Sequence, residues 1–368
     1  MATGFWWDER CFWHSGGNYA FLSPVGGLVQ PLAAGGLPEN PETKRRLKNL
    51  LEVTGLVREL DVGSAPAATD EDLRRVHPVH YLERFRDLSN TGGGELGERT
   101  PFGPGGFDIA ALSAGLAKAA VMAVLEGRQS NAYALSRPPG HHCTRDRPMG
   151  FCLLANIAIA VESAFAAKAV ERVAVLDWDV HHGNGTEAIF YDRPDVLTLS
   201  LHQDRNYPWR TGGFKDRGTG AGAGCNINLP LAPGGGHDVY MHAFHRIVLP
   251  ALGSFRPDLI IVACGYDASG VDPLGRMLAT SVTFAEMTTM ALEAATELCA
   301  GRLVLVHEGG YSEAHVPFCG HAVLERLSGS AIYAEDPLLP RLTAQQPDER
   351  IAAFHRTLVD EMADTLDL

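Results

Sequence analysis

The apolar positions of this chain follow two rhythms. Short blocks rich in Val, Ile and Leu at 131–136, 172–180, 196–202, 226–231, 258–264 and 302–307 are predicted as strands, and stretches with helical spacing at 156–170, 186–191, 237–255 and 283–300 as helices. Regular alternation of the two implies an α/β domain with a largely parallel sheet. Upstream, residues 1–40 hold one short strand and then a Gly/Pro-rich stretch from Gly16 to Pro38, long enough to form a wall of a substrate entrance. Residues 41–51 read as a helix capped by Thr43, with its Lys/Arg run as a solvated face. Residues 70–88 are helical with a break at Pro78, 91–106 form a second long loop, and 107–128 an Ala-rich helix. No repeat of 20–50 residues is visible.

The block at 172–180 ends in Asp177-Trp178-Asp179-Val180-His181-His182-Gly183-Asn184-Gly185-Thr186. Charges at the edge of a buried strand are unfavourable unless paired or bound to metal. On a pleat Asp177, Asp179 and His181 point one way, and Trp178 and Val180 the other. Other unusual residues also follow strands: Pro138-Pro139-Gly140-His141-His142, His202, Tyr266-Asp267 and Glu308-Gly309-Gly310-Tyr311. The carboxyl ends of parallel strands share one edge, where open α/β folds bind ligands, so these segments should converge on one site.

Composition narrows the partners. The net charge of −13 disfavours a nucleic-acid phosphate footprint and suits cationic peptides or polyamines, although it also serves solubility. The seven cysteines are widely spaced with no Cys-x-x-Cys pair, which argues against a disulfide framework and a thiolate zinc site. No linker divides the 368 residues, so one domain is expected. No apolar run is read as reaching the roughly 18–20 residues of a membrane span. The N-terminus lacks a basic segment followed by an apolar one, so a cytoplasmic location is expected.

Asp179, His181 and Asp267 form a mixed oxygen and nitrogen set that leaves room for water, as catalytic zinc sites do. One Zn2+ there would activate a hydrolytic water, with His141 or His142 moving its proton.

With these residues in view, Arg137-Pro138-Pro139-Gly140-His141-His142, Gly150-Phe151-Cys152, Asp177 to Thr186, Gly265-Tyr266-Asp267-Ala268, Asp272-Pro273-Leu274 and His307-Glu308-Gly309-Gly310-Tyr311 resemble the zinc-dependent histone deacetylase family. The match is nearest to its class II and the bacterial deacetylase-like amidohydrolases, over about residues 4–330, with a helical extension to 368. The resemblance implies the arginase/deacetylase fold, an eight-stranded, mainly parallel sheet flanked by helices. It also implies removal of acetyl or other small acyl groups from lysine side chains of a protein or peptide, and leaves homo-oligomerisation open.

Carried over by motif, Asp179, His181 and Asp267 would bind zinc, and His142 would be the general base and later acid. His141 would be an electrostatic or proton-relay partner held by Asp177, with Asn184 orienting His142 and Tyr311 donating to the acetyl oxygen. Phe151 and Tyr207 would face each other across the acyl-lysine tunnel, Gly150 would accept from the amide, Leu274 would sit at the rim, and Gly309 and Gly310 would complete the substrate site. Asp177, Asp179, His181, Ser200 and Leu201 match a structural K+ site. The sequence departs from the broader family pattern at Asn184, where class I members carry a carboxylate, and at Tyr207, where Phe is common. Three other readings compete. An acetylpolyamine amidohydrolase is disfavoured because polyamine-selective relatives carry Glu at Leu274. A dimanganese ureohydrolase would need extra Asp ligands at Gly183 and Ser269. A silent acetyl-lysine-binding protein would not need Tyr311.

Overall fold

The computed structural model describes residues 2–29 and 36–366. Part of the Gly16–Pro38 loop, residues 30–35, therefore lies outside the described residues. Eight strands form one sheet: β1 (Gly4–Trp6), β2 (Asp61–Gly63), β3 (Ala132–Ala134), β4 (Val173–Asp177), β5 (Val196–Gln203), β6 (Asn226–Leu231), β7 (Leu259–Cys264) and β8 (Leu303–His307). Their spatial order is β6-β5-β4-β7-β8-β3-β1-β2, and every pairing is parallel. Helices cover both faces, because the central strands β4 and β7 carry apolar side chains on both. Ala174, Leu176, Ile260 and Val262 enter one core with Leu47, Phe284, Val323 and Val359; Val173, Val175, Ile261 and Ala263 enter the other with Ala110, Val121 and Ile157. Each fully buried Val, Leu or Ile contributes roughly 1.5–3 kcal/mol, so a two-sided apolar strand is strongly fixed in register.

That register aligns the strand ends. Asp177 lies opposite Ser200 of β5 and Ala263 of β7, and Cys264 opposite His307 of β8. The segments after β3, β4, β7 and β8 thus leave the sheet at one edge, as the alternating pattern predicts.

Several expectations need correction. β4 ends at Asp177, not residue 180, and the eighth strand, β2, falls in a stretch read as having none. The helix Glu42–Thr54 begins after Pro41, with Asn40 Oδ1 accepting the Glu42 amide at 2.8 Å, whereas Thr43 lies inside the helix and its buried hydroxyl has no partner among the described residues. Lys44, placed on a solvated face, is fully buried against Glu39 because the helix rolls that side chain onto the core. The stretch 237–255 is helical but contains a π segment, Phe244–Val248, just before Pro250, which has no N–H to give the ladder. The helix Gly106–Leu125 is long and apolar enough, by length and composition, to cross a membrane, contrary to the reading that no segment is. Here it is a core helix, 67% buried over its most apolar window and packed on Asn156–Ala166, with Lys118 paired to Asp72 at 2.6 Å.

Candidate active site

Beyond Asp177 the backbone leaves the ladder, and side chains take over its hydrogen bonding. Asp177 Oδ1 accepts the Asp179 amide at 3.0 Å, Asp179 Oδ1 the His181 amide at 2.9 Å, and Asp267 Oδ1 the Val180 amide at 2.8 Å. Trp178 and Val180 go to the core, while Asp179 and His181 turn to the site. The expected alternation survives, but carboxylate-to-amide turns set it and not the pleat. From β8, the Gly309 amide donates to Asp179 Oδ2 at 2.8 Å. A Cβ at Gly309 would stand 2.1 Å from Asp267 Oδ2, so only glycine lets this backbone approach both carboxylates.

One ligand atom from each of Asp179, His181 and Asp267 lies within 4.8 Å of the others, and His181 Nδ1 is 3.0 Å from an oxygen of each carboxylate. Both carboxylates are fully buried, and beyond its 3.0 Å contact with His181 Nδ1 Asp267 Oδ2 has no hydrogen-bond partner among the described residues. Burial disfavours charge on His181, yet Asp267 and Asp179 outweigh it and push the ring up to about 10. Burial, and then the Asp179 charge, raise Asp267 to about 6. Two buried carboxylates drawing a proton onto a shared imidazole form a donor set that fits a divalent cation. His141, Cys152 and Glu308 also cluster, but Glu308 Oε2 accepts the Gly140 and His141 amides at 2.7 and 3.1 Å, and Cys152 Sγ the His142 amide at 3.4 Å. That cluster braces the tandem-histidine loop.

The two histidine rings lie 3.9 Å apart between centroids, tilted by 42°, and have different partners. His141 Nδ1 lies 3.0 Å from Asp177 Oδ2; burial opposes its charge, but Asp179 and Asp177 raise it to about 10. His142 Nδ1 lies 2.8 Å from Asn184 Oδ1, and Asn184 Nδ2 donates to Met149 Sδ at 3.3 Å. Burial, then the neighbouring His141 and His181 cations, hold His142 well below its ordinary value. One ring is thus charged and the other neutral. With Nδ1–H given to Asn184, the Nε2 of His142 is left as a base.

A cavity of about 300 Å³ opens above these rings, lined by His142, His181, Tyr311, Gly150, Phe151, Tyr207, Leu274 and, nearer the outside, Leu22, Arg99, Asn206 and Trp209. Leu22 belongs to the N-terminal loop, as expected of an entrance wall. Phe151 and Tyr207 line the same cavity but pack on different rings: Phe151 edge-on to Tyr311 at 5.8 Å, Tyr207 on His142 at 5.0 Å. The Tyr207 hydroxyl is buried without a partner. Tyr311 is buried, which keeps its phenol protonated well above the ordinary range. Its amide donates to Asp272 Oδ2 at 2.7 Å. Gly310, at φ 123°, gives the turn that aims Tyr311 inward. The Gly150 carbonyl faces the Cys152 thiol at 3.3 Å, and Gly150 itself, at φ 54°, leaves no room for a Cβ against the His142 ring.

Ser200 lies beside Asp177 in the sheet, with its hydroxyl 3.0 Å from His202 Nδ1; Leu201, the next residue of β5, is buried in the core. Where a second metal would need carboxylates, Gly183 has no side chain and Ser269 Oγ is bonded to His315 Nδ1 at 2.6 Å.

Residues 37–327 match the family model described as histone deacetylase domain. Over 361 residues the chain is 59% identical to a histone deacetylase-like amidohydrolase of Pseudomonas aeruginosa, covering 98% of this chain and 95% of the relative. The chain belongs to the histone deacetylase family. A probable deacetylase of Archaeoglobus fulgidus is 38% identical over 297 residues, covering 80% of this chain and 82% of the relative. A crystal structure of an HDA15 HD domain superposes with TM-score 0.82 at 30% identity, covering 100% of this chain and 99% of the other. The family is one of deacetylases and amidohydrolases, generally metal-dependent, and the buried Asp-His-Asp set of this histone deacetylase family member suits that chemistry.

Sequence reasoning gave no role to Glu308, Met149 or Arg99, and considered Asp272 only as a carboxylate at the tunnel mouth, whereas it accepts the Tyr311 and Leu274 amides. Glu308 and Asp272 could have been suspected from their places beside Tyr311 and Leu274 after strand ends. Met149 carried no signal; its sulfur is brought to Asn184 by the turn at Gly150.

Proposed function

We propose that this histone deacetylase family member, of the class II type, is a zinc-dependent hydrolase that removes acetyl or other small acyl groups from lysine side chains. The observation that carries the reading is the cavity of about 300 Å³ lined by His142, His181 and Tyr311, with His181 Nδ1 3.0 Å from each of two buried carboxylates. A slender chain with a neutral amide tip suits such a tunnel better than a branched or charged group would.

Asp179, His181 and Asp267 would hold one Zn2+, which when bound supplies Lewis acidity to the attacking water and the amide carbonyl. His142, neutral and with Nε2 free, takes the proton of the attacking water. Tyr311 donates its phenolic hydrogen to the carbonyl oxygen as charge develops there. His141, paired to Asp177, places a positive charge beside the same centre, and His142 returns its proton to the leaving amine. Tyr207 and Phe151 would flank the lysine methylenes, the Gly150 carbonyl would accept from the amide N–H, and Gly309 and Gly310 would shape the floor. Asp177, Asp179, His181, Ser200 and Leu201 would hold K+, chiefly through backbone oxygens, behind the zinc ligands.

An acetylpolyamine carries cationic nitrogens that a selective mouth would meet with a carboxylate. Leu274 supplies none. Glu95 is engaged by Tyr19 Oη at 2.8 Å and the Thr100 amide at 3.1 Å, and Asp272 by the Tyr311 and Leu274 amides. The test is kcat/KM on an acetyl-lysine peptide, a trifluoroacetyl-lysine peptide, acetylputrescine and N8-acetylspermidine side by side. Preference for an acyl-lysine peptide is expected; a tenfold preference for either polyamine, about 1.4 kcal/mol in transition-state binding, would overturn it.

A further inference from the structure

A cation lines the mouth of the tunnel of a protein whose net charge is −13, with one exposed carboxylate, Glu98, beside it. Among the described residues that line the cavity, Arg99 is the one fixed cation, and no carboxylate lines it. Its guanidinium lies over the Tyr207 ring, 5.6 Å from the centroid, with its side chain only 27% exposed. The nearest carboxylate is Glu98, at 3.5 Å from Nη1, but that side chain is 54% exposed, so the pairing is loose and solvated. The Arg99 guanidinium donates no hydrogen bond to another described residue.

The backbone fixes where this side chain starts. Arg99 sits in the left-handed region at φ 56°, and so does Phe151 at φ 69°, which for a side-chain-bearing residue is unfavourable by on the order of 1 kcal/mol. Two bonds hold the segments there: the Phe151 amide donates to Arg99 O at 3.0 Å, and the Gly150 amide to Glu98 O at 3.0 Å. The loop bearing Arg99 is thus tied to the tunnel wall at the residue beside the reacting centre, and strain kept at such a place points to use.

We propose that Arg99 is a specificity-determining residue that binds a carboxylate held close to the acyl-lysine, either the side chain of an adjacent acidic residue or the α-carboxylate of the acyl-lysine itself. This rests on the acyl-lysine reading above. A guanidinium with uncommitted donors pairs a carboxylate in a planar, two-bond geometry, and Arg99 shares its cavity with the apolar Leu22 and Leu274 and lies over the Tyr207 ring. The same charge repels a polyamine tail. Net charge alone would favour cationic substrates; inside the cavity the charge that can reach a bound substrate is that of Arg99, since Glu98 does not line it.

Two matched substrate pairs test this: acetyl-lysine peptides with Glu or Gln beside the lysine, and Nε-acetyl-lysine with a free or an amidated α-carboxylate. The ratio of kcat/KM within each pair is measured at low and high salt for the unaltered enzyme and for Arg99→Gln, Arg99→Lys and Arg99→Glu. The unaltered enzyme should favour the carboxylate member of one pair by about threefold to tenfold, less as salt rises. The responding pair identifies the carboxylate. Arg99→Gln should bring that ratio to about one, Arg99→Lys retain part of it, and Arg99→Glu invert it. A purely structural Arg99 would lower turnover on both members and leave the ratio as it was. A ratio of one in both pairs for the unaltered enzyme, or an unchanged ratio in Arg99→Gln, overturns the proposal; the first needs no variant to fold. Absence of turnover on every acetyl-lysine substrate would instead overturn the underlying reading and the proposal with it.

Discussion

The imidazole of His142 is bonded through Nδ1 to the amide oxygen of Asn184 at 2.8 Å, while its neighbour His141 rests on a carboxylate. Burial and the His141 and His181 cations keep His142 neutral, with no charge on Asn184 to offset them, whereas Asp179 and Asp177 outweigh burial at His141. Replacing the neutral partner should abolish the difference. In Asn184→Asp the new carboxylate favours protonated His142, so the ring gives up its proton only at higher pH. The acidic limb of kcat/KM against pH should move up by about one unit, the usual size of one close carboxylate's influence. A limb that stays in place would remove His142 as the base.

Tyr311 offers a second test. Its phenol stays protonated because it is buried near Asp267 and Asp179. Tyr311→Phe should keep the bound metal and lower kcat by roughly 100-fold, as loss of one oxyanion donor does. Metal content and turnover measured on the same preparation separate this from collapse of the site. Unchanged turnover would exclude the hydroxyl from the reaction.

The buried charges behind the site make a prediction about stability. Glu39 Oε1 accepts from Arg137 Nε at 3.0 Å and Lys44 Nζ at 3.3 Å, all three side chains being at most 2% exposed. Glu39→Gln leaves two buried cations without an anion and should destabilise by about 3–5 kcal/mol, whereas Lys44→Met keeps the Arg137 pair and should be near neutral or stabilising. Denaturant midpoints of the two variants should move unequally, and equal losses would contradict this account of the cluster.

Acid stability follows from His77. Its Nδ1 lies 2.6 Å from the Arg145 carbonyl and its Nε2 accepts the Ala155 amide at 3.0 Å, so the neutral ring is fully bonded and protonation would set two N–H groups against each other. Burial lowers it to about 4 from an ordinary 6.5. The folded form thus binds the proton less well than the unfolded chain. The stabilisation is complete above pH 6.5 and is lost as pH falls toward 4, by on the order of 3 kcal/mol in all. His77→Gln should be less stable at neutral pH but show a shallower decline over that window; parallel curves would contradict the assignment.

The sheet was legible because its central strands, β4 and β7, are apolar on both faces, a pattern that fixes both their burial and the edge at which polar residues emerge. The Asp-His-Asp set and tandem histidines were legible for the same reason: Asp179, His181 and Asp267 follow strands that could not otherwise end in buried charge. What escaped depends on distant partners. The strand Asp61–Gly63 has two exposed residues of three and is specified by pairing with β1. Lys44 is buried only because Glu39 and Arg137, 98 residues apart in sequence, meet beside it. Arg99 reaches the tunnel through a positive φ that the Gly150–Phe151 backbone imposes, and no local pattern announces it.

The central claim is that one metal ion between Asp179, His181 and Asp267 drives acyl-lysine hydrolysis. Its most direct test is reconstitution of the chelated, metal-free protein with zinc while acetate release from an acetyl-lysine peptide is followed. Turnover should be absent without metal, rise linearly, saturate at one equivalent per chain, and fail to return in Asp267→Asn. Full turnover by the metal-free protein, or a requirement for two equivalents of manganese with urea release from a guanidino substrate, would contradict it.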